Sequence, residues 1–312
     1  AVLATGAKEY KPLEYLYGEH PDVLTHLDMD AAIRDNDPRI KGSSVIVFIQ
    51  CVGSRNEENP FCSKICCTHS LKSAIALKQL DPKKRVYVAY RDIRSYGFRE
   101  TLYQKARQLG VLFFRYDLER QPKLRKNSNQ ELEFSMMDHV LGMPVMIHPD
   151  LVVLASGIVP ADNKPLFEKF KVPVNNDGFL VEAHAKLRPV DFASDGLFVA
   201  GLAHYPKPLE ESIAQARAAV ARAMTLLSRD SLMVGGVVAE VTAEKCAVCL
   251  TCVRTCPYEI PHIHLDGYAV IDASECHGCG ACVAECPGKA IVLKHFTDQQ
   301  IMAKTNALFE MA

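Results

Sequence analysis

The 312-residue sequence predicts an α/β chain, a parallel strand–helix repeat followed by a small α+β module, on three observations. Between Ser44 and Phe114, β-branched apolar runs alternate with stretches of helical spacing, the pattern of a right-handed parallel unit. Between Cys246 and Pro287, one cysteine motif occurs twice at an offset of thirty residues. The composition, 48% hydrophobic and 23% charged, is that of a globular chain with a sizeable core and two or three domains.

Taken in order, Val2 to Ala7 reads as a short apolar strand into a Thr-Gly turn at Gly6, and Leu151 to Gly157 repeats that pattern. Such turns let backbone approach backbone or a cofactor closely. The chain opens at Ala1, not Met, as though already inside a buried strand, so a preceding portion, absent or on a separate polypeptide, is expected. Ser44 to Gln50 is a buried parallel strand by its apolar run. Cys67 to Leu80 has helical spacing, with Leu71, Ala74, Ile75 and Leu77 on one side, and Asp81-Pro82 stops it. Val86 to Tyr90 is the next strand, Arg99 to Leu109 a helix, and Val111 to Phe114 a third strand. Gln121 to Ile147 is more polar and reads as an antiparallel excursion. Asn175 to Gly178 signals a turn before Phe179-Leu180-Val181, and Gly196 to Gly201 is a further strand into glycine. An Ala-rich helix runs from about Leu209 to Leu227. Gly235-Gly236 suits a hinge, and Thr297-x-x-Gln300 is a capping box for a C-terminal helix.

The repeated motif is Cys246-x2-Cys249-x2-Cys252-x3-Cys256-Pro257, then Cys276-x2-Cys279-x2-Cys282-x3-Cys286-Pro287. This is the bacterial ferredoxin run, in which three close cysteines hold one [4Fe–4S] cluster and the fourth ligates the other. Cys246, Cys249, Cys252 and Cys286 are therefore expected around one cluster, and Cys276, Cys279, Cys282 and Cys256 around the second. Zinc calls for facing C-x2-C pairs rather than a run of three plus a distant fourth, and eight cysteines in two matched runs disfavour disulfides. His262, His264 and His277 flank the clusters as surface or tuning residues.

The remaining four of twelve cysteines form Cys51-x10-Cys62-x3-Cys66-Cys67, following the strand at Ser44. The carboxyl end of a parallel strand is where α/β sheets bind ligands. A dinucleotide site there would carry G-x-G-x-x-G, but this loop has one glycine, Gly53, among its cysteines. A third [4Fe–4S] cluster is favoured over free thiols or a redox disulfide, with zinc as the alternative ligand. Cys66 and Cys67 would diverge at a helix N-terminus, whose positive end favours thiolates.

The net charge of −1, without a basic block, gives no sign of nucleic acid or an anionic membrane as partner. No apolar run approaches a bilayer span, and no signal peptide is expected. Twelve cysteines at metal-ligand spacing fit a reducing, cytoplasmic setting.

With these residues in hand, the chain resembles the C-terminal part of the A-type subunit of heterodisulfide reductase and its bacterial relatives, over essentially its whole length. The resemblance rests on Ile49-Gln50-Cys51-Val52-Gly53-Ser54-Arg55, on Cys66-Cys67-Thr68 with Lys72, and on Tyr90 to Gly97. Val199-Ala200-Gly201, Glu211 to Gln215 and the double cysteine run complete it. Two departures stand out: the family's glycine-rich FAD fingerprint is not in this chain, and Gly201-Leu202 stands where such reductases carry Gly-Asp.

The resemblance implies a thioredoxin-reductase-like, two-dinucleotide-binding flavoprotein fold whose nicotinamide domain has lost its nucleotide. It divides the chain into 1–38 and 161–236 as parts of an FAD domain, 39–160 as the degenerate α/β domain, 237–296 as the ferredoxin domain and 297–312 as a terminal helix. It implies FAD, held wholly or with a missing N-terminal portion or partner chain, together with three [4Fe–4S] clusters. Lys72 is then the catalytic candidate beside the flavin. Gly6, Gly157, Gly201, Leu202, Glu211, Ser212 and Gln215 would approach the cofactor, and Arg91, Asp92 and Arg94 would form ion pairs or face a partner. The implied activity is electron transfer between flavin and clusters, with flavin-based bifurcation. The implied partners are other subunits of a heterodisulfide-reductase-type complex, a hydrogenase- or dehydrogenase-type donor, ferredoxin and a second copy. A cluster-only relay and a glutamate-synthase-type NAD(P)H reductase remain as alternatives.

Overall fold

The structure is a computed structural model and describes residues 1–139, 142–231 and 236–310. It divides into two compact units, Ala1–Thr225 and Leu226–Ala312. The first unit begins β1 (Val2–Leu3), β2 (Ala7–Glu9), β3 (Val23–Thr25), α1 (His26–Arg34), α2 (Pro38–Gly42), β4 (Val45–Val52), α3 (Cys66–Leu80) and β5 (Arg85–Tyr90). It continues α4 (Glu100–Gln108), β6 (Leu112–Arg115), β7 (Lys123–Lys126), β8 (Leu132–Asp138), β9 (Met143–Ile147), β10 (Leu151–Ser156), β11 (Ile158–Pro160), α5 (Lys164–Phe170), β12 (Phe198–Val199) and α6 (Leu209–Leu227), whose last turn crosses the boundary.

A five-stranded, wholly parallel sheet, in the order β3-β10-β4-β5-β6, is the frame of this unit. The continuous apolar run of β4 follows from burial on both faces. Ile46 and Phe48 face a core shared with α1, α3 and α4, including Met29, Leu71, Leu77 and Ala106. Val47 and Ile49 alternate to the opposite face, where Leu124, Leu132, Phe134 and Met136 of the antiparallel β7-β8-β9 sheet cover them. The layers are therefore helices, parallel sheet and antiparallel sheet.

The expected 1–38 segment divides between two bodies. β1 pairs with β12, and Leu3 packs with Phe167, Leu180, Phe192 and Val199 in a core of its own. Residues 23–34 instead supply β3 and α1 to the parallel sheet, because Val23, Leu24 and Met29 are buried against it. The N-terminal strand is only two residues long, and Phe179 to Val181 forms a single bridge, Val174 with Leu180, around the expected Asn175 turn.

The second unit contains β13 (Ala239–Val241), α7 (Thr251–Thr255), β14 (His262–Ile263), β15 (Ala269–Val270), α8 (Ala281–Ala284), β16 (Ile291–Leu293) and α9 (Asp298–Glu310). β13 pairs antiparallel with β16, and β14 with β15. The core is small and includes Cys252 and Cys282 beside Ala239, Ala269 and Ile291. Thr297 caps α9 reciprocally with Gln300. The expected Gly235-Gly236 hinge falls partly on Gly235, which lies outside the described residues.

Candidate redox centre

The two ferredoxin runs fold as near copies. α7 and α8 start thirty residues apart, and the turns before them use the left-handed region at equivalent places, Val248 with Gly278 and Leu250 with Gly280. These turns point successive cysteines inward. One cavity is lined by Cys246, Cys249, Cys252 and Cys286, with Val241, Ile263, Ala269 and Ile291 as apolar wall. A second is lined by Cys276, Cys279, Cys282 and Cys256, with Ile260, Ile271 and a stacked Tyr258–His277 pair, centroids 3.9 Å apart. Each crossing cysteine thus meets the three of the other run. Among the described residues no three His, Cys, Asp or Glu side chains gather tightly enough for a single metal ion. The thiols of each cavity stand around its walls, and four thiols on an apolar wall fit a cubane cluster. Burial pushes the Cys282 thiol up to about 11, and the Thr251 hydroxyl holds Cys249 below its ordinary value. His262 is exposed and His264 pairs with Asp266 at 3.1 Å.

The third tetrad sits where β4 ends. The sheet register slips between Leu154 and Ser156 opposite it, and Cys51 takes φ +61, a conformation costly for a residue with a side chain. Cys66 and Cys67 open α3. Cys66 is pushed well up by its hydrogen bond to Cys67, by burial, and by the charges of Cys67, Cys51 and Cys62, so all four sulfurs share one neighbourhood. The Cys66 bond holds Cys67 down to about 7 against burial. Burial raises Cys51 to about 11, opposed by Arg55, whose Nη1 reaches Cys51 Sγ at 3.9 Å. The Lys64 N–H donates to Cys62 Sγ at 3.3 Å. Phe61 anchors the loop edge-on against Phe179 and Tyr205. Converging sulfurs, a cation and a helix N-terminus fit a thiolate-held metal cluster. Asp92 pairs with Arg55 at 2.7 Å and with Arg94 at 3.5 Å, while Arg91 donates to the Arg55 carbonyl.

The loop's glycine is not free to receive a phosphate. A Cβ on Gly53 would lie 2.0 Å from the Tyr10 ring, so the ring occupies the approach that a dinucleotide would need. Gly157 is packed as tightly, with Gly53 O at 2.9 Å and Ser63 Oγ at 3.2 Å from its would-be Cβ. It brings backbone to backbone.

Beside α3 lies a cleft of about 720 Å3, in the range of cofactor sites. Lys72, Leu202 and Ser212 line it with Thr68 of the quoted motif, together with Asp30, Arg34, His69, Arg99 and Lys207, which the motif reading missed. Thr68 Oγ1 and Arg99 Nη1 are buried without a hydrogen-bond partner; Glu210 stands 3.2 Å from that nitrogen but out of line for a bond. Burial, then the nearby Lys64 charge, lowers Lys207 to about 8, although its Nζ donates to the Gly201 and Tyr205 carbonyls. The unpartnered Thr68 hydroxyl and the cations Arg34, Lys72, Arg99 and Lys207, which outnumber the lining carboxylates of Asp30 and Glu210, fit an anionic, heteroaromatic group such as a flavin. Not every candidate faces it. Gln215 accepts the Gly201 N–H at 2.9 Å, Glu211 accepts the Tyr96 hydroxyl, and Gly6 and Gly201, both at positive φ, have no neighbour a Cβ would touch.

Residues 239–287 match the family model "4Fe-4S dicluster domain". The chain is 36% identical to the A-type subunit of the H(2):CoB-CoM heterodisulfide,ferredoxin reductase of Methanothermobacter thermautotrophicus, over 98% of this chain and 48% of that protein. It is likewise 36% identical to the A-type iron-sulfur subunit of the CoB–CoM heterodisulfide reductase of Methanocaldococcus jannaschii, over 95% of this chain and 48% of that protein. The chain spans about half the length of the curated relatives it matches. Among solved structures, T. acidophilum thioredoxin reductase is similar at a TM-score of 0.49 and 12% identity, covering 73% of this chain and 66% of that one. By its sequence relatives, the chain belongs to the family of heterodisulfide reductase A-type subunits.

Proposed function

We propose that this chain is the flavin-facing and cluster-binding part of an oxidoreductase subunit of the heterodisulfide reductase type. It would work within a complex whose other subunits supply and accept electrons. The observation that carries the reading is that helix α3 holds two ligands of the loop tetrad, Cys66 and Cys67, and lines the adjoining cleft with Thr68, His69 and Lys72. One element therefore joins a cluster site to a cofactor site. When bound, a flavin supplies conversion between electron pairs and single electrons, and the clusters supply one-electron relays.

The chain's residues prepare for that chemistry. Lys72, Arg99 and Lys207 put positive charge around the cleft, which favours an anionic occupant. Pro208 and Leu209, at the start of α6, line the cleft as well, so the positive end of that helix dipole adds to the same field. Arg55 and the first turn of α3 put positive charge beside the loop sulfurs, and Cys67 is the thiol they help hold down. Tyr10 over Gly53 keeps a nicotinamide dinucleotide from the end of β4. Bifurcation between a disulfide and a ferredoxin is the finer form of this reading, because the relative from M. thermautotrophicus is named a heterodisulfide,ferredoxin reductase.

Anaerobic purification with flavin, iron and sulfide analysis tests it. Three tetrads of cysteines should hold about four iron each, and one FAD should accompany them, with or without an added N-terminal portion. Full iron without flavin under both conditions would favour a cluster-only relay and remove the flavin role. Among the described residues no helix is long and apolar enough to cross a membrane.

A further inference from the structure

The two ferredoxin cavities are near copies, so their differences can be read position by position. Ligand exposure is matched: Cys249 and Cys279 are exposed, Cys252 and Cys282 buried, and the other four intermediate. One backbone hydrogen bond is matched as well, Ala269 N–H to Cys246 Sγ and Ala239 N–H to Cys276 Sγ, both 3.4 Å and thirty residues apart. The rest is unequal. Ala290 N–H donates to Cys286 Sγ at 3.3 Å, whereas the equivalent Cys256 is bonded through its backbone, accepting the Glu259 N–H at its carbonyl oxygen. The Thr251 hydroxyl lies 3.4 Å from Cys249 Sγ and donates to it once the sulfur is a thiolate; its counterpart is Ala281, which has no hydroxyl. Lys245 precedes the first cysteine of one run and lines its cavity, while Glu275 holds the equivalent position immediately before Cys276 in the other run.

We infer that the cluster held by Cys246, Cys249, Cys252 and Cys286 has the higher reduction potential of the pair, with Thr251 and Lys245 as its tuning residues. The physics is one-signed. Each cluster accepts one electron and gains one negative charge, which hydrogen bonds to sulfur and a nearby cation stabilise. A nearby carboxylate opposes it. Electrons entering the module therefore collect at the Thr251 side, and the side bearing the Tyr258–His277 stack stays oxidised until the driving force increases. The inference rests on the cluster reading of the ferredoxin runs.

The test is an anaerobic redox titration of the full chain at pH 8, where an ordinary imidazole is neutral, followed by electron paramagnetic resonance with dithionite and mediators. The Cys66→Ser/Cys67→Ser chain identifies the two ferredoxin signals. Two separated one-electron waves are expected. Thr251→Ala should lower the higher wave alone, Lys245→Glu should lower it further, and Ala281→Thr should raise the lower wave and narrow the gap. Coincident waves in the wild-type chain, or a Thr251→Ala chain of unchanged iron content whose waves do not move, overturn the inference. If Thr251→Ala fails to load iron, Ala281→Thr decides alone, and an unmoved lower wave then counts against it. Absence of iron from the wild-type module sinks the cluster reading instead, a separate outcome read from the iron assay.

Discussion

The ferredoxin module and the loop tetrad hold the same number of cysteines per site by opposite means. In the module, six of the eight cysteines stand in two C-x2-C-x2-C triplets, and short turns aim them before any distant contact forms. In the loop tetrad, Cys51 ends a strand, Cys62 lies mid-loop and Cys66 and Cys67 start a helix. That site exists only when β4 and α3 are already packed on the parallel sheet. A local site tolerates damage elsewhere, whereas a tertiary site fails with its frame.

The largest expected effect breaks this comparison at the loop. Cys66→Ser with Cys67→Ser should remove about a third of the iron, one tetrad of three, and leave the ferredoxin signals intact. Unchanged iron, or zinc in the wild-type loop, would show that this tetrad holds no cluster. Next comes Cys256→Ala, which should damage the cluster of Cys276, Cys279 and Cys282 and spare that of its own run; the reverse pattern would refute the crossing.

Smaller effects sharpen the comparison within the module. A Cβ at Gly278 would lie 2.3 Å from the Val237 carbonyl oxygen, at φ +64. Gly278→Ala should therefore cost about 2–4 kcal/mol, read as a lower temperature of cluster release. The equivalent Val248 holds φ +53 with a β-branched side chain, so Val248→Gly should stabilise the holo-module by about 1 kcal/mol. A loss of stability there would mean that the Val248 side chain contributes more than its backbone strain costs.

Elements with short-range signatures were legible in the chain itself. The apolar run of β4, the helical face of α3, the Asn175 turn and the Thr297 capping box each depend on neighbours within a few residues. The cleft was legible only in part. Lys72, Thr68 and Ser212 came from motifs, but Arg34, Arg99 and Lys207 reach it from separate segments, and no periodicity announces which charged side chains will share a wall. Gln215 and Glu211 belong to a quoted motif yet bond to Gly201 and to Tyr96, because a polar side chain takes the nearest partner the fold presents.

Membership of β3 and α1 in the parallel sheet was equally invisible, since a three-residue strand carries no period to read. By itself, then, the sequence determined which four cysteines would line each cavity of the ferredoxin module, because the spacing of thiols along a short turn already limits which can face one another. It also determined the alternation of strands and helices from β4 to β6, because apolar periodicity is a local property of the chain. Tertiary structure alone decided that Tyr10 would close the loop at Gly53, that four scattered cysteines would meet beside α3, and that the Thr68 hydroxyl would be buried at the cleft without a hydrogen-bond partner. Those are encounters between segments far apart in sequence, and only the packing of both faces of the parallel sheet brings them within bonding distance.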